Sequence, residues 1–442
     1  MNTGGYRVTG RTFTKTTGAM CLALALSACA GGEEVSRSDA NPADIALQSS
    51  PALDPGLPGE QTSSLIADLR ARRSVLPQGP YTQLATDVLA SRTLPAEQEL
   101  RAARFRAQSA SKNWLPSAGP QVNLTSVGSL VTTLFLEQTV LDNGRKKAER
   151  AYANAEVEQA SVTLVQAAND RVAEALGLTL TAQAAEARAS INDAALPKLD
   201  RYAYIMDERV RGGISSPVDA RIVRDKLAEM TSQRDLDLEG AAAARAELAT
   251  MTGGQAVALP DLADLPADPA VEPLPILQAR AKAALADAEA DAGKAGFFPG
   301  LSAVASLGSE SDAGLTAQMN QNIGFGTRDA MRAIEAEATA ARAAVAQTQE
   351  DTARRIAALE VERASKLRQL EQARSLAANA TETFNTYVTA HREGQRTVRE
   401  VVTLLEAQVD AARRAAGLRF DVIRTEIDLA ALRGTLVDGE TL

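Results

Sequence analysis

The feature that most constrains this 442-residue chain is that its order of elements is written twice. Pro299 lies 183 residues after Pro116, and Arg328 lies 183 after Arg145. Gly394 lies 181 residues after Gly213, and Gly434 lies 181 after Gly253. In the first copy, residues 81–255, a helical stretch from Leu84 to Asn113 ends at Trp114-Leu-Pro-Ser117. Two strand-like segments follow, 119–124 and 130–136, with a predicted turn at 126–129. Alternation in the second puts Leu130, Leu134 and Leu136 on one face, and Val131, Thr133, Phe135 and Glu137 on the other. From Arg145 no Gly or Pro occurs until Gly177, and helical periodicity continues to about Arg211, with Val165, Ala168, Val172, Ala175 and Leu176 on one stripe. Such a helix, of roughly 66 residues, would be about 100 Å long. Gly177 and Pro197 are the places where it would bend or break. Gly212-Gly-Ile-Ser-Ser-Pro217 ends it, and a shorter helix runs from Pro217 to about Thr252.

The second copy, residues 272–437, repeats that order. A helix from Leu274 ends at Phe297-Phe-Pro-Gly300. Strand-like segments at 301–308 and 315–325 flank a turn at 309–314. A helix from Arg328 to about Arg392, a break at 393–397 and a final helix to Leu436 complete it. Residues 256–271, with Pro260, Pro266 and Pro269, link the copies, and 438–442 form a short tail. Aromatics are only 3% although 45% of residues are hydrophobic, much of that alanine. Alanine favours helix and buries little area per residue, so the expectation is a mainly α protein of long, closely packed helices with a small β part.

The start of the chain has a separate character. Residues 1–28 contain Arg7, Arg11 and Lys15, no acid, and the apolar run Ala19–Leu26, too short to remain as a membrane-crossing helix. Leu26-Ser-Ala-Cys29 resembles the lipobox of bacterial lipoproteins, which implies a cleaved signal peptide and acylation of Cys29. By the same resemblance, Ala30 after the cysteine implies delivery to the outer membrane. Residues 29–80, rich in Gly, Pro, Ser and Asp, are expected to be a tether unable to bury enough apolar surface to order itself. No later segment reaches ~18 consecutive apolar residues.

The formal charge is −9, and loss of the three leader cations takes it to −12. That balance argues against nucleic acid as a main partner. Cys21, Cys29 and the lone His391 cannot build the usual zinc sites, so no metal and no cofactor is expected. No nucleophile–base arrangement, phosphate-binding loop or carboxylate pair suggests an enzyme.

The duplicated unit resembles the outer-membrane efflux protein family, the TolC-like channels. The resemblance is carried by Leu115-Pro-Ser117, by Gln138-Thr-Val-Leu-Asp-Asn-Gly-Arg145 with its degraded second copy at 322–328, and by the turns Gly212-Gly-Ile-Ser215 and Gly394-Gln-Arg-Thr397. It covers residues 81–437. It implies a homotrimer in which each subunit gives two β-hairpins, four strands, to a shared 12-strand barrel, while long coiled-coil helices form a periplasmic tunnel. It implies a passive channel of a tripartite efflux or type I secretion system, working with a periplasmic adaptor protein and an inner-membrane transporter. The two glycine turns would form the adaptor-docking tip, with Gly212, Gly213, Ser215, Gly394 and Thr397. Arg396 takes the place of the family's gate arginine, Asp219 that of its partner carboxylate, and Glu400 that of an acidic ring. Thr403 replaces the ring's second acid, and Arg399 adds positive charge beside Glu400. Read from the residues alone, Arg396 and Glu400 are equally an i, i+4 surface pair. Trp114, Phe135, Phe297 and Phe298 are either interfacial anchors or helix-packing core. The competing reading is a periplasmic coiled-coil lipoprotein acting as scaffold or adaptor. It is favoured by the polar stretch Gln318, Asn320, Gln321 and Asn322.

Overall fold

The computed structural model describes residues 63–441, apart from 92–93, 125–129, 255–264, 266–270, 308–310, 320 and 322–323. Cys29, the leader, the tether up to residue 62, the 126–129 turn and most of the linker lie outside the described residues.

Both copies of the unit are present. The first contains α3 (Pro95–Ser111), β1 (Ser117–Leu124), β2 (Leu130–Leu141), α4 (Arg145–Arg211) and α5 (Pro217–Met251). The second contains α6 (Leu274–Ala295), β3 (Gly300–Leu307), β4 (Asp312–Gln318), α7 (Thr327–Arg392) and α8 (Val398–Arg433). Ahead of them lie α1 (Ser64–Ala71) and α2 (Pro80–Ala90). Of the described residues, 76% are helical. At 1.5 Å per residue, α4 and α7 are each about 100 Å long.

Neither Gly177 nor Pro197 interrupts α4. Pro197 is exposed, so the carbonyl it leaves without an amide partner faces water. The Gly177 carbonyl accepts from the Thr181 hydroxyl at 2.9 Å and from Arg424 of α8 at 3.4 Å. The expected single helix from Leu84 to Asn113 is two helices. Pro95 opens α3, because proline is tolerated at a first helical turn but not inside a helix. The last strand also differs from expectation. It runs 312–318 rather than 315–325, so among the polar residues quoted above only Gln318 belongs to it.

The tether expectation fails for its last third. Residues 63–79 are folded against the C-terminus, with Ile66, Leu69 and Leu76 buried. The Val75 amide donates to the Thr435 carbonyl at 2.8 Å, the Ser74 amide to Asp438 at 3.0 Å and the Gly439 amide to the Arg72 carbonyl at 3.1 Å. Arg72 is buried and donates to the carbonyls of Arg433 and Glu272. Burial pulls its pKa below the usual arginine range, an effect opposed by Asp68 and Glu272. Three apolar side chains and a buried cation in a polar segment supply what composition alone conceals. The tail is likewise held, with Glu440 paired to Arg73 at 2.7 Å.

Gly434 closes α8 in the left-handed region, φ +67°, where a Cβ would sit 2.5 Å from the Leu274 side chain and 2.8 Å from Arg72. Gly213 has a similar φ of +71° with nothing within 4 Å of such a Cβ. Gly213→Ala should therefore cost only backbone strain, about 1 kcal/mol, and Gly434→Ala should cost at least ~2–3 kcal/mol. Urea unfolding of both variants checks the difference.

The two copies differ in how much they bury. α4 packs on α3, α5, α6 and α8, and twenty-four of its residues are buried. α7, nearly as long, packs on α6 and α8 and buries six.

Candidate functional site

Two regions stand out, the sheet at one end of the long helices and the pair of turns at the other. The hairpins join into one antiparallel sheet in the order β1-β2-β3-β4. β1 and β4 are therefore edge strands with no further partner among the described residues.

The register decides which residues share a face. Ala118 pairs with Leu136, Pro120 with Leu134, Leu134 with Leu307 and Leu136 with Ala305. Ala303 pairs with Leu315, Ala305 with Ala313 and Leu301 with Ala317. With Val122, these residues form one apolar face across all four strands. Four of its large members are exposed, Leu315 to 70% and Val122, Leu134 and Leu307 to about half, while Leu136 and Leu301 are half-buried. The opposite face carries Ser117, Gly119, Gln121, Thr133, Glu137, Ser302, Ser306, Asp312 and Thr316, with Phe135 and Val304 among them. The β2 alternation expected from the sequence thus extends through both hairpins. Of the four aromatics proposed as anchors, Trp114 and Phe298 are exposed where helices give way to strands, and Phe297 is buried. Phe135 lies on the polar face. Phe325, fully exposed before α7, was not foreseen. No helix among the described residues is long and apolar enough to cross a membrane.

At the other end, α4 and α7 stop at matching turns. The left-handed glycines are Gly213 and Gly394, at φ +71° and +79°. Gly212 has an ordinary φ of −79°. The helix caps are Ser216, which accepts from the Val218 amide, and Thr397, which accepts from the Glu400 amide. This corrects the alignment of the first turn. Its matching motif is Gly213-Ile-Ser-Ser216, and Ser215 corresponds to Arg396. Ser216 was missed although the 181-residue offset from Thr397 points to it.

The expected gate pair is also arranged differently within one chain. Arg396 binds Glu400 at 3.3 Å and lies over the Tyr387 ring at 4.7 Å, whereas Asp219 faces Arg399 at 3.7 Å. Asp219 and Glu400 are equivalent positions of the two repeats, each third in its helix after the cap, where a carboxylate meets the positive end of the helix. Glu400 goes further and accepts from the Thr397 amide at 2.8 Å and hydroxyl at 2.9 Å, completing a capping box. The Thr397 amide, then its hydroxyl, then Arg396 hold its carboxyl below the ordinary 4.5. A depressed carboxyl stabilises the turn fully above that value and stops doing so as pH falls through the lower, folded one. His391 donates from Nδ1 to the Arg396 carbonyl at 2.8 Å, and its ring meets Tyr202 of α4 edge-on at 6.3 Å between centroids. Thr397→Ala should open this turn, raising hydrogen exchange of the first α8 amides about fivefold for a lost cap of ~1 kcal/mol, without change at the α4–α5 turn.

Compared by sequence, the chain matches no family model and no curated protein. Solved structures do match. The outer-membrane channel OprN superposes with a TM-score of 0.71 at 18% identity, over 84% of this chain and 96% of its own. The outer membrane protein VceC of Vibrio cholerae gives 0.69 at 16%, over 81% and 97%. The CmeC outer membrane channel of Campylobacter jejuni gives 0.66 at 12%, over 86% of each chain. The fold is therefore TolC-like.

Proposed function

We propose that this protein is one subunit of an outer-membrane export duct. The observation that carries the reading is the sheet, apolar and exposed on one face, polar on the other, with two open edges. In water such a face promotes aggregation, and in lipid the open edges leave backbone groups unpaired, a cost that only closure removes. Copies joined head to tail, β4 of one against β1 of the next, close the sheet with the apolar face outward. About eight strands enclose an interior just filled by side chains, so two copies would leave little channel, whereas a homotrimer of 12 strands leaves a lumen. Gln121, Thr133, Glu137, Ser302 and Thr316 would line it. Trp114, Phe298 and Phe325 would mark the periplasmic membrane surface.

On this reading the long helices continue the lumen into the periplasm, and the tip meets a periplasmic adaptor and, through it, an inner-membrane transporter. Gly213, Ser215, Gly394 and Thr397 would shape that docking tip, with Gly212 beside them. Arg396, Asp219 and Glu400 would narrow the duct there through polar contacts. Drug efflux and type I secretion would use the same passive duct. Cys29 would carry the lipid as a second hold on the outer membrane. The OprN and CmeC likeness supports the channel class, and the amphipathic sheet disfavours a scaffold, which has no use for a lipid-facing strand face.

The test is the mass of the detergent-purified complex together with conductance in planar bilayers. A trimer with discrete conductance steps is expected. A monomer without conductance would overturn the duct. Palmitate labelling that disappears in Cys29→Ala is the expected result for the anchor.

A further inference from the structure

The two junctions between helix and sheet follow one plan, but only the first is sealed by the chain itself. There Asp142 accepts from the amides of Gly144 at 3.1 Å and Lys146 at 2.6 Å, so a carboxylate caps the start of α4. The Asn113 side chain donates to Glu149 and to the Lys146 carbonyl, both at 3.1 Å, and accepts from Arg150 at 2.7 Å. Arg145 pairs with Glu149, one turn on, at 3.7 Å. Each of these cations at the first junction has a partner in the same copy.

A shift of 183 residues removes every one of these seals. Asp142 becomes Phe325, Asn113 becomes Gly296, and the pair Arg145–Glu149 becomes Arg328 and Arg332, two cations a turn apart. Gly326, the cap of α7, brings no side-chain bond to the helix start. An open cleft of about 600 Å³ lies there between α6 and α7, lined by Lys294, Arg328 and Arg332 together with Met331 and the fully exposed Phe325. Two acids stand beside its cations, Glu335 at 3.8 Å from Lys294 and Asp329 at 3.3 Å from Arg332, both in exposed contacts of little strength. Arg328 pairs with no acid among the described residues. Like charges at i, i+4 repel, and cations are unfavourable at the positive end of a helix. One external anion relieves both.

We infer that this cleft binds the phosphate of an anionic phospholipid from the periplasmic leaflet, whose acyl chains lie against the apolar face of the sheet. The inference rests on the duct reading, in which Phe325 marks the membrane surface. On that reading the cleft is at headgroup level, since Arg328 and Arg332 lie within about 8 Å of the first residue of α7 along its axis. Leu315 on the apolar face of β4 and Met319 just after it are exposed, so apolar surface precedes Phe325 and cations follow it. That order, hydrocarbon, aromatic, cation, is the order of groups in a phospholipid leaflet, and basic pockets at a membrane surface take anionic headgroups. The lipid phosphate then does for α7 what Asp142 does for α4.

The experiment titrates the full-length protein in mixed micelles with phosphatidylglycerol or phosphatidylcholine and counts the lipids retained by mass spectrometry of the intact complex. The expected result is one phosphatidylglycerol per copy and no comparable retention of phosphatidylcholine. Arg328→Gln and Lys294→Gln should each weaken that binding about fivefold, and Arg145→Gln, at the sealed junction, should leave it unchanged. Phe325→Asp restores the carboxylate of the first repeat and should abolish retention, whereas Phe325→Leu should keep it. Equal retention of the two lipids by a conducting trimer overturns the cleft while leaving the duct standing. Equal weakening by Arg145→Gln overturns it too, since the attraction would then be diffuse. Displacement by an equal concentration of inorganic phosphate overturns the lipid assignment. Loss of the trimer in Arg328→Gln without any lipid preference gives the cleft to the neighbouring copy and overturns the proposal. A monomer without conductance overturns the duct itself.

Discussion

Leu134→Arg should abolish assembly into membranes, whereas Thr133→Arg, one residue away on the same strand, should leave it intact. Leu134 sits mid-sheet on the exposed apolar face, paired with Pro120 on one side and Leu307 on the other. Thr133 points the opposite way, opposite Gln121. A cation on the lipid face near the bilayer midplane costs about 2–4 kcal/mol, and a closed barrel of identical subunits incurs it once per copy. Three copies would thus lose on the order of 10 kcal/mol, comparable to the whole stability of an ordinary domain. In the lumen the same guanidinium stays hydrated. The checks are recovery in the outer-membrane fraction and the presence of trimer on unheated gels. The contrast separates a lipid-facing sheet from a sheet covered by protein, where both substitutions would disturb packing. If Leu134→Arg assembled normally, the apolar face would not meet lipid.

The architecture was legible because it depends on features that repeat. Long Gly- and Pro-free runs, glycine stops and period-two alternation in β2 each imply a local structure, and the matched offsets imply that the structure occurs twice. What escaped the sequence depends on residues far apart in the chain. The pairing of β2 with β3, which joins two hairpins into one amphipathic sheet, involves residues about 170 apart, and no local pattern announces it. The clasp of residues 63–79 on the C-terminus was hidden for a similar reason. Leu76 and Arg72 lie in a stretch whose composition reads as loop, and their burial comes from Thr435, Arg433 and Gly439 at the other end of the chain. At the tip the turns were visible but their details were not. A cap can be placed at Ser215 or Ser216 from sequence alone, and the helix start at Pro217 decides for Ser216. Ion pairing was least legible, because Arg396 and Arg399 both lie within reach of an acid and only the direction of their side chains assigns Glu400 to one and Asp219 to the other.

Asp237→Ala should loosen the packing of α4, α5 and α8 on one another, destabilising the chain by on the order of 3 kcal/mol. The carboxylate is about nine-tenths covered and is shared by Arg188 and Arg413. Removing it leaves two guanidinium groups facing one another across α4 and α8, and loss of one member of a buried ion pair typically costs about 3–5 kcal/mol. The lower end applies here, since Arg188 is a third exposed and can turn its charge toward water. Asp237→Asn should recover part of the loss by keeping an acceptor for one arginine. A triple replacement by Leu at 237 and Met at 188 and 413 should recover most of it, because an apolar cluster no longer has charge to desolvate. Thermal unfolding of the purified complex measures all three. Their order matters for function as well as stability. If the triple variant is stable and the duct still opens, the ion pairs only hold α8 against α4, and apolar packing can do the same. If it is stable but conductance rises or fluctuates, the ion pairs also fix the position of α8.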